Sequence, residues 1–197
     1  MHTRPFPVLL LLLAVLLLHG CAYGILDDKR LLDTMSQDKA LASNIKSALM
    51  KKDFAKGFSI SVYSYYKHVF LVGELPESFQ KRAQAIAQSK NPRSVTCHWF
   101  TPAKNADSDF ILSGRLRTAL IGAKDLSSTR VDTEINAGRV VLLGVVGNEQ
   151  ERKIAIKTAR KVDGVVNVTS YLMLPPHSHQ PNTQPTKELA APSKQKP

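Results

Sequence analysis

One pattern of apolar and polar positions occurs twice along the chain. Its clearer copy has an apolar run at residues 140–146, a helix-like segment at 149–162 and a short apolar strand after Gly164. A weaker copy of the apolar run, residues 69–75, lies 71 positions earlier. Self-similarity at a fixed spacing is the signature of a repeated structural unit. The chain is therefore predicted to contain one unit twice.

The two copies can be aligned position by position in their helices. Four residues of the first helix match four residues of its counterpart at the same offset of 71, namely Ile45, Lys46, Ala48 and Leu49 with Leu116, Arg117, Ala119 and Leu120. In the second helix the offset is 72, so that Ala83 and Ala87 match Ala155 and Ala159. Small offset changes at loops, with helices and strands kept in phase, indicate a duplicated fold.

Each unit is predicted to run helix, strand, strand, helix, strand. In the first unit Asp38 is the expected N-cap of a helix, and the predicted elements that follow are a loop at 53–57, strands at 58–64 and 68–73, a helix from Pro76 and a strand at 95–100. In the second unit the predicted elements are a helix capped by Asp107 or Ser108, a hairpin around 136–138, a helix at 149–162 and a strand at 165–173.

This order predicts an α+β fold with two tandem αββαβ units, each a three-stranded mixed sheet packed on two helices. The first unit is assigned to residues 38–103 and the second to residues 104–174. A unit of this length is close to the lower limit for independent stability. The two units are therefore expected to pack on each other or to be steadied by a membrane.

The N-terminus has the features of an export signal. Arg4 precedes an apolar run at 8–18, which is too short to cross a hydrocarbon core of about 30 Å as a helix. The sequence that ends at Cys21 resembles the bacterial lipobox, which predicts a signal peptide at 1–20, a lipidated Cys21 and a tether through residue 37. In such lipoproteins an Asp after the cysteine favours the inner membrane. Ala22 therefore points to the periplasmic face of the outer membrane of a Gram-negative bacterium. An ordinary secretory signal with an incidental cysteine is the alternative.

Net charge adds a class of partner to this picture. The chain carries a formal charge of +11, and residues 1–20 contribute only Arg4 to it. For an exported protein the abundant polyanions are the head groups of anionic phospholipid and lipopolysaccharide. The sequence has no aromatic and basic signature for RNA or DNA, so we expect no nucleic-acid partner.

The sequence gives little support for catalysis. Cys97 lies in an alternating strand whose neighbour His98 faces the opposite side, which favours a structural cysteine. The carboxylates of the second unit have no partnered histidine, and no nucleophile elbow, phosphate loop or metal-spaced Cys/His set is present. His177 and His179 lie in a Pro- and Lys-rich tail, residues 175–197, that is predicted to be disordered. We expect no enzyme activity, no cofactor and no metal site.

The second unit resembles the BON domain almost throughout. The residues that carry the resemblance are Gly138, Val140, Leu142, Gly144, Ala155, Ala159, Gly164, Val165 and Val168. The first unit departs at Lys67, which replaces the hairpin glycine, and at Pro92-Arg93, which replaces Gly-Val. With the lipobox, the chain resembles dual BON-domain outer-membrane lipoproteins of the envelope-integrity class. That resemblance implies binding of anionic phospholipid through the second domain, with no catalysed reaction.

Two helical surfaces of the second unit are candidates for lipid contact. One is a cationic stripe opposite the core face of the second helix, for which a solvated exterior is the alternative. Its residues are Lys153, Lys157, Arg160 and Lys161. The other is the outward side of the first helix, where bulky apolar residues and a cation suit a lipid interface. Its residues are Phe110, Gly114, Arg117 and Ile121. Packing of this side against the first unit is the competing explanation.

A second class of function remains open from the sequence. A lipid-anchored adaptor would use its surface to bind an envelope assembly or quality-control protein. The tyrosines Tyr63, Tyr65 and Tyr66 favour this hypothesis, because aromatic residues are enriched at interfaces. Alternation places Tyr63 and Tyr65 on one face of a strand, which also fits burial of part of the cluster.

Overall fold

Both halves of the chain fold into a three-stranded sheet with helices on one face. The structure is a computed structural model, and it describes residues 32–102 and 107–176. The elements of the first unit are α1 (Leu32–Lys52), the short helix α2 (Phe54–Phe58), β1 (Ile60–Tyr65), β2 (His68–Glu74), α3 (Glu77–Gln88) and β3 (Ser94–Phe100). Those of the second unit are α4 (Asp107–Ile121), a 3-10 turn (Ser128–Arg130), β4 (Val131–Asn136), β5 (Arg139–Val145), α5 (Glu149–Arg160) and β6 (Asn167–Met173).

The two sheets have the same mixed topology. The central strand, β2 or β5, pairs antiparallel with the strand before it and parallel with the strand after it. A glycine of each central strand allows close approach of the chain that leads into the first strand. A Cβ atom on Gly73 would lie 2.6 Å from the Ser59 carbonyl oxygen, and one on Gly144 would lie 2.0 Å from that of Arg130. The predicted α+β fold with two αββαβ units is confirmed, with α2 as an addition to the first unit.

Each sheet packs against the helices of its own unit, and the apolar residues between them form one hydrophobic core per unit. In the first unit the buried residues between helices and sheet include Ile45, Leu49, Val69, Leu71 and Ala83. Their counterparts in the second unit include Leu116, Leu120, Val140, Leu142 and Ala155. The positions that match in the two sequences therefore hold the two cores.

A third core lies between the two sheets. Its buried members come from both units, and they are Tyr65, Phe70, Val72, Phe100, Val141, Leu143 and Val145. The molecule is therefore layered as helices, sheet, sheet, helices. The central strands β2 and β5 are buried on both faces, which explains why their sequences are continuously apolar rather than alternating.

Equivalent residues of the two units meet in this interface. Tyr63 Oη donates to Glu134 Oε1 at 2.6 Å, and these residues occupy matching positions of β1 and β4. His98 Nδ1 lies 3.1 Å from Tyr171 Oη, and these residues match in β3 and β6. Contacts between equivalent residues place a local pseudo-twofold axis between the sheets. Tyr65 Oη also donates to Asp132 Oδ2 at 2.6 Å.

Two expectations for the first unit are wrong. Helix α1 begins at Leu32, so Asp38 lies inside the helix and is not its N-cap. Its carboxylate accepts from the backbone N–H groups of Tyr66 and Lys67, both at 2.8 Å, and from Ser64 Oγ at 2.7 Å. The segment expected to be a loop contains α2, which also takes Phe58 out of the predicted strand.

Candidate functional site

Helix α4 presents one side to the core and the other side to the surroundings. Leu112, Leu116 and Leu120 are buried at helical spacing against the second sheet. The N-terminal end is held to the β4–β5 hairpin by Asp109, whose carboxylate accepts from Ala137 N at 2.6 Å and from Gly138 N at 3.0 Å. These contacts set the rotation of α4 about its own axis and so determine which of its residues face away from the sheet.

The outward side carries the four residues proposed from the sequence, Phe110, Gly114, Arg117 and Ile121, here called the outer stripe. Phe110 is 87% exposed and Ile121 is 62% exposed, while Gly114 and Arg117 are also exposed. Their spacing places them along about 16 Å of one helix side. Arg117 is partly engaged, because its Nη1 donates to the Val131 carbonyl at 3.3 Å. The outer stripe combines bulky apolar groups with one guanidinium.

Packing of the outer stripe against the first unit, the competing explanation, is wrong. The two units contact each other through the sheet faces that point away from the helices, so α4 lies on the far side of its sheet from the first unit. Two further exposed apolar residues, Ile111 at 59% and Val166 at 77%, belong to the second unit. Ile111 lies two residues after Asp109, whose carboxylate bonds to the hairpin turn. Val166 N donates to the carbonyl oxygen of Gly138 in the same turn at 2.8 Å. Ile111 therefore adds an exposed apolar group next to Phe110 in the chain.

Helix α5 presents the cationic stripe on its exposed side. Ala155 and Ala159 are buried against the sheet, and Lys153, Lys157, Arg160 and Lys161 are exposed. The helix starts at Asn148, whose side chain accepts from Glu151 N. Helices α4 and α5 contact each other on the same face of the second sheet. The structure therefore places the outer stripe and the cationic stripe in one helical layer.

The matching side of the first unit has a different chemistry. At the offset of 71, Phe110, Gly114 and Ile121 correspond to Lys39, Ser43 and Met50. The cation is retained, because Lys46 matches Arg117 and its Nζ donates to the Ile60 carbonyl, which matches that of Val131. This shared contact gives Arg117 a structural role as well as an exposed charge. Met50 keeps a partly buried apolar group at the position of Ile121, whereas the exposed aromatic group of Phe110 belongs to the second unit alone.

The tyrosine cluster of the first unit lies between the two sheets. Tyr65 is buried, and its ring stacks with that of Tyr63 at a centroid distance of 6.3 Å. Burial raises the pKa of the Tyr63 phenol, and the neighbouring Glu134 carboxylate raises it further. The tyrosines that favoured a protein adaptor therefore pack between the two units of the chain itself.

Cys97 and His98 face opposite sides of β3, as their alternation predicts. Cys97 packs against the helical core of the first unit and is only partly buried, and burial raises the pKa of its thiol to about 11. His98 faces the second sheet, where its ring meets Tyr171 edge to face, and it also meets Phe100 of its own strand edge to face. Among residues 32–102 and 107–176, no group of three or more His, Cys, Asp or Glu residues has the geometry to hold a metal ion.

Several sequence predictions concern residues that the structure does not describe. Cys21, the signal peptide at 1–20 and most of the tail at 175–197 lie outside the described residues. Within the described ranges, the helices are too short or too polar to span a bilayer. Phe54 and Phe58 form an exposed pair that the sequence pattern does not predict, because it places them in a loop and a strand.

Fold and surface together define a protein of two α+β units joined through their sheets. The BON domain model matches residues 37–97 and 108–174, and the chain belongs to the BON-domain family. Among solved structures, the chain is similar to the C-terminal domain of CdsD, a structural protein of the type III secretion system of Chlamydia trachomatis. That match has 16% identity and a TM-score of 0.27, and it covers 71% of this chain and 67% of the other. Another CdsD structure has 14% identity and a TM-score of 0.29, and it covers 70% of this chain and 63% of the other.

Proposed function

We propose that this protein is a non-catalytic outer-membrane lipoprotein, anchored through Cys21, that binds anionic phospholipid and supports the integrity of the outer membrane. The lipid-binding part is the second BON unit. The observation that carries the proposal is the outer stripe of α4, where Phe110 and Ile121 are exposed on one side of a helix that Asp109 ties to the hairpin. Envelope integrity is the consequence that the family resemblance implies for such a protein.

The chemistry of this surface suits the boundary between head groups and acyl chains. Exposed apolar side chains gain free energy when they enter the acyl boundary, and a nearby guanidinium meets phosphate. Gly114 lies between Phe110 and Ile121 and leaves open space, since a Cβ there would meet no other atom within 4 Å. The absence of a side chain lets the helix backbone approach the bilayer closely.

The cationic stripe of α5 supplies the preference for anionic lipid. Each Lys or Arg near a negatively charged membrane surface contributes about 1 kcal/mol, and salt weakens that contribution. An acyl anchor at Cys21 would add to this binding. Leu32 lies eleven positions after Cys21, so the first described residue would lie within about 40 Å of the anchor.

The test is co-sedimentation of residues 22–197, which retain every described element, with vesicles of neutral lipid or of neutral lipid containing phosphatidylglycerol. The unmodified chain is expected to bind the anionic vesicles, with weaker binding at high salt. Phe110→Asp combined with Ile121→Asp is expected to reduce partitioning by about tenfold or more, because apolar insertion is lost.

A charge-matched control separates insertion from repulsion. Ser36→Asp combined with Gln37→Asp makes the same change in net charge on exposed positions near the start of α1, about 20 Å of helix away from Lys51 and Lys52, where no large apolar group is lost. This variant is expected to bind within about twofold of the unmodified chain. Equal losses in the two double variants would contradict a role for the outer stripe. Absence of lipid binding, with recovery of a stoichiometric protein from envelopes, would support the adaptor instead.

A further inference from the structure

Helix α2 exposes an aromatic pair in the first unit. Phe54 is 67% exposed and Phe58 is 68% exposed, and their rings stack with centroids 6.1 Å apart. Residues one turn apart lie on the same side of a helix, so the two rings form one surface. With the exposed Lys51 and Lys52, these residues are called the α2 patch.

The local structure holds this pair in place. Asp53 caps α2 by accepting from Lys56 N at 3.1 Å, and Gly57 N donates to the Asp53 carbonyl at 2.8 Å. Gly57 is buried against α1, where a Cβ would lie 2.4 Å from Met50 N. Lys46 Nζ donates to the Phe58 carbonyl at 2.8 Å and lies 5.6 Å from the centre of its ring. The aromatic rings are therefore presented by a short helix that is fixed at several points.

Charge around the rings is strongly positive. Residues 46–58 contain four lysines and one acid, a net charge of +3, and that acid, Asp53, is paired with Lys56 at 2.5 Å. Cations beside exposed aromatic rings are the composition that binds to a negatively charged lipid surface. A stable protein interface needs about 800 Å² on each partner, which is more than two Phe rings supply. The chemistry therefore favours an anionic bilayer over a folded protein partner.

We propose that the α2 patch is a second bilayer-contact site, in which Phe54 and Phe58 enter the interface of an anionic phospholipid membrane and Lys51 and Lys52 meet its phosphates. This site lies in the helical layer of the first unit, across both sheets from the outer stripe. It shares no residue with the outer stripe, so the two surfaces stand or fall separately.

A fluorescent reporter at each surface tests them one at a time. Phe54→Trp is made in residues 22–197 with Trp99→Phe, so that the new indole is the sole tryptophan. Vesicles containing phosphatidylglycerol are expected to shift its emission to shorter wavelength, and neutral vesicles are expected to leave it unchanged. Phe110→Trp in the same background reports on the outer stripe. An unshifted Phe54→Trp emission would overturn the α2 patch even if Phe110→Trp responds, and the reverse result would overturn only the proposed function.

Loss of the rings provides a second measurement. Phe54→Ser combined with Phe58→Ser is expected to weaken partitioning to anionic vesicles by about fivefold, with an unchanged melting temperature because both rings are exposed. Phe54→Leu combined with Phe58→Leu keeps apolar groups and is expected to retain most of the binding. Equal binding by the serine and unmodified chains would overturn the proposal.

Removal of residues 177–197 tests whether the tail of the same chain covers the α2 patch. The emission of the Phe54→Trp chain is measured without vesicles, with and without these residues. If it lies at short wavelength in the longer chain and moves to longer wavelength when the tail is removed, the tail occupies the α2 patch and the proposal fails.

Discussion

Asp38 and Asp109 connect helices to hairpins at the residue scale. They match at the offset of 71, and each carboxylate accepts from both backbone N–H groups of the following hairpin turn. A buried carboxylate is stable in a fold when such donors satisfy it. Asp38 satisfies this condition, because it is buried and also accepts from Ser64. One acid in each unit therefore fixes the position of its helix on the sheet.

Asp38→Ala is expected to lower the free energy of unfolding by about 3 kcal/mol, because it leaves buried donors without their acceptor. Chemical denaturation of the chain checks this value. Asp33→Ala is the matched control on the same helix, since Asp33 is exposed and a change there is expected to cost about 0.5 kcal/mol or less. Similar losses in the two variants would contradict the role assigned to Asp38.

These residues mark a boundary of what the sequence can predict. A carboxylate near a helix start indicates a cap, and the hairpin was recognisable from Ala137-Gly138. The contact between them joins residues 28 and 29 positions apart, and no periodicity reports such a distance. The helix and the hairpin could be predicted from the sequence, whereas the tertiary partner of the carboxylate could not.

At the scale of elements, the two hairpins have the same turn with different residues. Both central residues have positive φ, with values of 53° and 64° at Tyr66 and Lys67 and of 48° and 74° at Ala137 and Gly138. Positive φ at both positions is the type I′ geometry, which follows the twist of the paired strands. The departure of Lys67 from the BON pattern therefore leaves the turn type unchanged and adds backbone strain.

The same position should respond in opposite directions in the two units. Lys67→Gly is expected to raise the free energy of unfolding by about 0.5 kcal/mol, because glycine adopts this φ without steric cost. Gly138→Lys is expected to lower it by about 2 kcal/mol or more, since it adds strain and crowding. A Cβ there would lie 2.6 Å from the Gly164 carbonyl. Denaturant titration of both variants measures the difference, and destabilisation by Lys67→Gly would show that the turn carries no strain.

The sequence predicted most elements because their periodicity is local. Helix α5 and strand β5 were identified from spacing alone, and the paired alanines of α3 and α5 lie in the cores as expected. Helix α2 was missed, because a five-residue helix shows little periodicity. The exposure of Phe110 could not be read from the sequence either, since it depends on which face of the sheet the other unit covers.

Across the whole molecule, the interface between the sheets contains a titratable group. Burial lowers the pKa of His98 from its ordinary value near 6.5, and the positive charge of Arg139 lowers it further. The folded chain therefore favours neutral His98, and unfolding takes up a proton below that value. The stability that His98 contributes is present above about pH 6.5 and is lost as the pH falls through that value towards the folded pKa.

The free energy of unfolding is therefore expected to fall between pH 7.5 and pH 5.5, a range above the usual titration of carboxylates. His98→Gln is expected to reduce this fall, because glutamine takes up no proton. Burial also lowers the pKa of His68, so His68→Gln is measured in parallel to separate its contribution. An unchanged pH dependence in His98→Gln would contradict the assignment. Denaturation at several pH values provides the measurement.

The pseudo-twofold axis also determines how many different exteriors the molecule can have. Two identical chains related by such an axis would form a homodimer, and both outer layers would then be the same. Here the halves are joined by the short segment 101–106, so their association is intramolecular and does not weaken on dilution. The covalent link also allows the layers to differ, with Phe110 on one and its counterpart Lys39 on the other. A duplicated chain thus keeps the symmetric interior of a dimer while its two sides acquire separate specificities.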